Sequence, residues 1–163
     1  MDYPMITKDY IRSHKFAFDG LTYPKTKDKV SYRLHPDDAL PMDLANKQIA
    51  LRKKFVDLFY RYFDGKYKRL ESHCGITEAS MRKYLRGNLK DRGRNISREA
   101  VAKMSVGIHL SVEEANELFC LQGHSLEPEH GLFDAIVVDA LQCGDDISTF
   151  YETCAEFGIK IYK

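Results

Sequence analysis

From Leu44 onward, apolar residues recur at the spacing of one face of a helix. Over residues 44–63 the stripe is Ile49, Phe55, Val56, Phe59, Tyr60 and Phe63, with Arg52, Lys53, Lys54 and Arg61 largely off it, and Gly65 ends it. A short second pattern runs from Tyr67 to Cys74. Gly75 breaks it, because glycine alone takes the left-handed conformation of a sharp helix exit without steric cost. Ile76 is an apolar plug, and Thr77 is a good N-cap for a third helix. That helix carries Met81, Tyr84 and Leu85 on one face and Arg82, Lys83 and Arg86 on others, and stops at Gly87. After the polar loop 88–95, Ser97 caps a fourth helix with Glu99 in its first turn and Val101, Ala102 and Met104 to bury. Leu110 plugs its end. Ser111 and Glu114 have the spacing of a capping box for a fifth helix, which ends at Gly123. Two further patterns follow: Leu132, Phe133, Ile136, Val137, Ala140 and Leu141, then Ile147, Phe150, Tyr151, Cys154 and Phe157. Gly144 separates them and Gly158 closes the second.

Residues 1–44 read differently. They hold four of the five prolines, Pro4, Pro24, Pro36 and Pro41. A helical piece is expected near Ile6–His14. Leu21 and Tyr23, then Val30, Tyr32 and Leu34, alternate with polar residues about a KTKDK turn, the pattern of a short hairpin or extended arm. Pro41 or Asp43 announces the next helix. The expected organisation is all-α: an N-terminal arm over 1–44, a five-helix unit over 45–123, and a two-helix C-terminal extension over 124–163.

Charge changes this picture. The whole chain has 25 Lys plus Arg against 24 Asp plus Glu, yet the charges are segregated. Residues 45–110 hold sixteen basic and six acidic side chains, and residues 111–163 hold two basic and eleven acidic. A basic block on a compact helical unit is the electrostatic footprint of a nucleic-acid binder; the plainer reading is a solvated lysine-rich surface. At 163 residues, 44% hydrophobic and 30% charged, the chain can bury a core without metals or disulfides. No apolar run approaches the ~20 residues that span a bilayer, and MDYPMITKDYIRSHK has no apolar signal core, so a cytoplasmic protein is expected. Cys74, Cys120, Cys143 and Cys154 form no CxxC pair and read as reduced, mostly buried thiols. Cys120 and His124 make one zinc half-site with no second half, so no metal or other cofactor is expected. Phosphate-binding loops, nucleophile elbows and HExxH are absent, and no enzymatic role is expected.

Two helices joined by a tight glycine turn are the usual way to hold one helix in a DNA major groove. GITEASMRKYLRG, residues 75–87, is close to the G-[IV]-[ST]-x-x-x-[IL]-x-x-[YW]-x-x-G pattern of the lambda-repressor-like, Xre-type helix-turn-helix family, and residues 96–126 are similar to the closing helices of such domains. Residues 45–123, about half the chain, resemble this family. The resemblance implies a sequence-specific, DNA-binding transcriptional regulator of bacterial or phage type, with helix 77–86 in the groove. By position, Glu78, Ala79, Arg82 and Lys83 face the bases, with Arg86 on the same helix. Arg82 is the best base reader, because a guanidinium pairs bidentately with guanine; the plainer reading leaves it on phosphate or in solvent. Tyr67, Lys68 and Thr77 are placed for the backbone at the helix ends, and Lys90, Arg92 and Arg94 for phosphates beyond the helix.

Two positions depart from the family pattern. Glu71 stands where a small residue usually packs against the recognition helix, so it must reach solvent or a basic partner. Glu78 stands where glutamine is common. A carboxylate there repels phosphate, accepts from cytosine N4, or simply favours the helix N-terminus. A second function is therefore open: a helix-turn-helix-fold interaction module whose basic and acidic surfaces meet another protein. A homodimer on two half-sites is expected, with the acidic C-terminal helices as its interface or as a partner's; intramolecular packing of those helices is the competing expectation.

Overall fold

Helix starts and stops fall where the capping residues put them. The computed structural model describes residues 5–13, 41–86 and 94–161. Within them the chain forms eight helices and no strand: α1 Lys8–Ser13, α2 Pro41–Phe63, α3 Tyr67–Cys74, α4 Glu78–Arg86, α5 Arg98–Gly107, α6 Val112–Gln122, α7 Leu132–Cys143 and α8 Ile147–Glu156. Pro41 opens α2, where its fixed φ suits a first helical position and its missing N–H costs nothing. The boundary expected at residue 45 therefore falls inside this helix. The Ser97 hydroxyl accepts from the Ala100 amide at 3.1 Å. Ser111 and Glu114 form the full capping box, and the Asp146 carboxylate accepts from the Thr149 amide at 2.8 Å. The hairpin expected over residues 21–34 lies outside the described residues.

The buried stripe of α2 is Leu51, Phe55, Leu58, Phe59 and Phe63. This corrects two positions: Ile49 is 42% and Tyr60 60% exposed. Successive helical residues are rotated by about 100°, so Ile49 stands about 200° from Leu51, and Tyr60 is one step past the buried Phe59. Apolar type alone does not fix the face when a helix is rich in apolar residues.

The two halves of the chain share one core. Along α7, Leu132, Ala135, Ile136, Val137, Val138 and Ala140 are all buried. A helix that is apolar on every side needs neighbours on every side, and α7 has them in α1, α5, α6 and α8. The apolar surplus of residues 124–163 thus goes into the core formed with α5 and α6. α5 is buried along Ala100–Gly107 and packs against α3, α6, α7 and α8. At its end, a Cβ on Gly107 would stand 2.4 Å from Cys74 Sγ and 2.5 Å from the His73 carbonyl, so only glycine lets α3 approach so closely.

Polar ties join the same elements. Arg98 donates to both carboxylate oxygens of the wholly buried Asp134, at 2.8 and 3.3 Å. Its remaining N–H groups reach the carbonyls of His124 at 2.9 Å and Ser125 at 3.2 Å. On α1, Ile6 and Ile11 are buried, and Lys8 lies 2.9 Å from Asp139 and 3.0 Å from Asp145. Burial works against the Lys8 ammonium, but its hydrogen bonds to the two carboxylates outweigh that and hold its pKa above the usual lysine value. Arg12 grips Glu156 on α8 through two N–H groups, at 2.6 and 2.9 Å. All four cysteines are reduced. Cys74 and Cys154 are buried, and desolvation pushes both thiols up to about 12. Cys120 is half-buried and Cys143 exposed.

Removing one partner of a buried ion pair leaves the other charge uncompensated. Asp134→Ala should lower the urea-unfolding free energy by about 3–5 kcal/mol, read from the denaturation midpoint at constant slope. A loss below about 1 kcal/mol would show that Arg98 finds water or another acceptor without cost.

Candidate nucleic-acid interface

The turn between α3 and α4 sets the geometry. Gly75 has φ 70° and ψ 17°, and its amide donates to the Glu71 carbonyl at 2.8 Å. Ile76 follows, buried in the core. Thr77 then caps α4, its hydroxyl accepting from the Ser80 amide at 3.1 Å and its carbonyl from the Met81 amide at 2.9 Å. Met81 and Tyr84 are buried and Leu85 half-buried against α2 and α3, which fixes the rotation of α4. The opposite face is solvent-exposed: Glu78, Ala79, Arg82, Lys83 and Arg86. Glu71 is also exposed, so the departure at that position is resolved by solvent.

Several of the expected contact residues come together. Arg82 Nε donates to Glu78 Oε2 at 2.9 Å, and its guanidinium carbon lies 4.8 Å over the Tyr67 ring. Tyr67 in turn packs on Phe59, ring centres 5.0 Å apart. The hydrogen bond to Glu78, then that residue's charge, raises the Arg82 pKa. Only Nε is committed; the two terminal nitrogens make no hydrogen bond among the described residues, so the guanidinium is oriented but keeps a donor edge. Arg94 donates to Ser80 Oγ at 2.7 Å, stacks 5.0 Å over the Tyr84 ring and gives its backbone amide to the Lys83 carbonyl at 3.3 Å. Lys68 is exposed on the first turn of α3. Lys90 and Arg92 lie outside the described residues.

The surrounding surface is cationic. Arg61 pairs with Asp57 at 2.7 Å and Arg69 approaches Asp64 at 3.5 Å. Lys53, Lys54, Lys66, Lys68, Lys83 and Arg86 are exposed and form no ion pair among the described residues. Exposed cations without intramolecular acceptors attract polyanions through space and release counterions on contact.

Sequence reasoning missed Ser80 and Gln48. Ser80 receives Arg94 across fourteen residues. The Gln48 side chain bonds both backbone groups of Ile96, at 2.9 and 3.2 Å, and so pins the segment entering α5 to α2. Among the described residues, no group of three or more His, Cys, Asp or Glu side chains is arranged to hold a metal ion, and no helix is long and apolar enough to cross a membrane.

Comparison with family models, curated proteins and solved structures gave no match in any of the three.

The Thr77 cap fixes the start of α4, so Thr77→Ala should cost about 1 kcal/mol in chemical denaturation, with Thr77→Ser recovering most of it. Equal stability of all three proteins would mean that the hydroxyl contributes nothing to holding this helix.

Proposed function

We propose that this chain is a sequence-specific double-stranded-DNA-binding regulator of the lambda-repressor-like, Xre type, with α2–α6 as its helix-turn-helix domain and α4 as the recognition helix. The observation that carries the reading is the two-sided build of α4. One face is anchored by Met81 and Tyr84, and the other presents Ala79, Arg82, Lys83 and Arg86 to solvent beyond a glycine turn. A helix needs that rigidity and that exposure to be inserted into a major groove. The oriented Arg82 guanidinium suits a guanine edge, and Lys68, Lys83, Arg86, Lys90, Arg92 and Arg94 neutralise phosphates in this reading. The role assigned is transcriptional regulation in the cytoplasm, with a homodimer reading two half-sites about one helical turn apart.

A second reading rests on one contact. Glu78 holds Arg82 at 2.9 Å and places a carboxylate at the front of α4, which a phosphate-facing surface disfavours. On that reading the fold is an interaction module, and the cationic face of α2–α4 meets an acidic protein surface.

Selection from a pool of random duplexes decides between them, with an Arg82→Ala, Lys83→Ala protein alongside. Enrichment of a two-fold-symmetric site, lost in the variant, is expected; no enrichment with either protein would contradict the recognition-helix assignment. On the enriched site, log affinity should fall linearly with log salt, and Lys83→Ala should make the slope shallower by about 0.9 if Lys83 sits on a phosphate. An unchanged slope would remove that contact.

A further inference from the structure

Behind α4 lies a cavity of about 420 Å³ whose lining shares only Thr77 and Arg94 with the proposed DNA-binding surface. Its wall comes from three places: the turn with Thr77, the inner side of α4 with Ser80 and Tyr84, and the segment leading into α5 with Arg94, Ser97, Glu99 and Lys103. That volume is within the roughly 300–1,000 Å³ of small-molecule sites. We propose that this cavity is a binding site for a small phosphorylated metabolite about the size of a sugar phosphate.

The lining chemistry specifies the ligand class. Two cations, Arg94 and Lys103, and three hydroxyls, Thr77, Ser80 and Ser97, face one space. Donors that come from separate elements approach an oxyanion from several sides, which suits tetrahedral phosphate better than planar carboxylate. Lys103 is only 7% exposed, so its ammonium is largely stripped of water. Desolvation lowers its pKa, Glu99 opposes that shift and Arg94 adds to it. A bound dianion would favour the charged form of Lys103 in the same sense as Glu99 does. Glu99 is the one carboxylate in the lining. It repels a bare phosphate and accepts from hydroxyls, which calls for a ligand with a polyhydroxylated body as well as a phosphate. Behind the wall, the Tyr151 hydroxyl is buried without a hydrogen-bond partner among the described residues. It lies 2.0 Å from where a Cβ on Gly75 would stand, and Lys103 Nζ lies 5.9 Å from the Tyr151 ring centre. A buried hydroxyl without a partner calls for an explanation, and this one stands directly behind Gly75 of the cavity wall.

Ser80 and Tyr84 belong to α4, so occupancy would bias the helix proposed to read DNA. That consequence rests on the DNA-binding reading; ligand binding itself does not.

Calorimetric titration of the full chain with ribose 5-phosphate, ribose and dimethyl phosphate, without DNA, tests the site. Saturable binding of ribose 5-phosphate with a dissociation constant below about 1 mM is expected, with none for ribose. Arg94→Gln and Lys103→Met should each weaken it about ten-fold or more, the loss of one charge-assisted bond. Arg94 is exposed, so its variant decides the matter even if the buried substitution at Lys103 prevents folding. No saturable binding, or binding unchanged in Arg94→Gln, would overturn the proposal. So would dimethyl phosphate binding as tightly as ribose 5-phosphate, since the cavity would then seat a phosphodiester of a DNA backbone. Because no titration contains DNA, a failed duplex selection and a failed ligand site are separate results.

Discussion

Asp134 and Arg98 are the contact on which the rest of the structure depends. Arg98 is the first residue of α5, and Asp134 lies in the first turn of α7. Their pairing closes the segment between α6 and α7, because Arg98 also holds the carbonyls of His124 and Ser125, and Asp134 accepts the Glu127 amide at 2.8 Å. The Arg98 guanidinium lies 4.7 Å over the Phe119 ring, which carries the tie to α6. Desolvating two ions is costly, and the cost is offset only where both are richly hydrogen-bonded. Here both are. A basic and an acidic half meet at their one deeply buried opposite-charge contact among the described residues and share a core through α2, α5, α6 and α7.

That shared core is what makes α4 a fixed surface. α3 and α4 are short, and helices of that length have little stability alone. They are held because Leu70, Cys74, Ile76, Met81 and Tyr84 are buried, with α3 packed on α2 and α5 and α4 packed on α2 and α3, and because glycine at 107 lets α3 sit almost in contact with α5. The exposed cations then lie on α2–α4, while Glu113 and Glu117 of α6 and Glu152 and Glu156 of α8 are exposed. The net charge of +1 thus conceals a segregation of charge along the chain.

Local rules made much of this legible. Pro41, Thr77, Ser97 and Ser111 start helices because each supplies a fixed φ or an oxygen for an orphan amide, and those effects act over three or four residues. The turn at Gly75 and the exposed set on α4 follow from the same short-range logic. What was not legible is set by distance. Ile49 and Tyr60 are apolar but outside the stripe, because the face of a helix is chosen by what packs on it. The apolar C-terminal helices fitted either a dimer interface or an intramolecular core, and only the position of α7 among α1, α5, α6 and α8 decides where those side chains go. Lys8 reaching Asp139 and Asp145, and Arg94 closing on Ser80, join residues too far apart in sequence for periodicity to connect. The cavity between α4 and α5 is likewise a property of packing.

The central claim is that the exposed face of α4, held by this core, is the surface that meets DNA. Amide chemical shifts of ¹⁵N-labelled protein titrated with an enriched duplex, or with mixed-sequence duplex at low salt, test it residue by residue. The account predicts that the largest changes cluster at Thr77, Ala79, Arg82, Lys83 and Arg86, with α7 and α8 nearly still. Changes centred on the acidic helices, or none anywhere at saturating DNA, would contradict it.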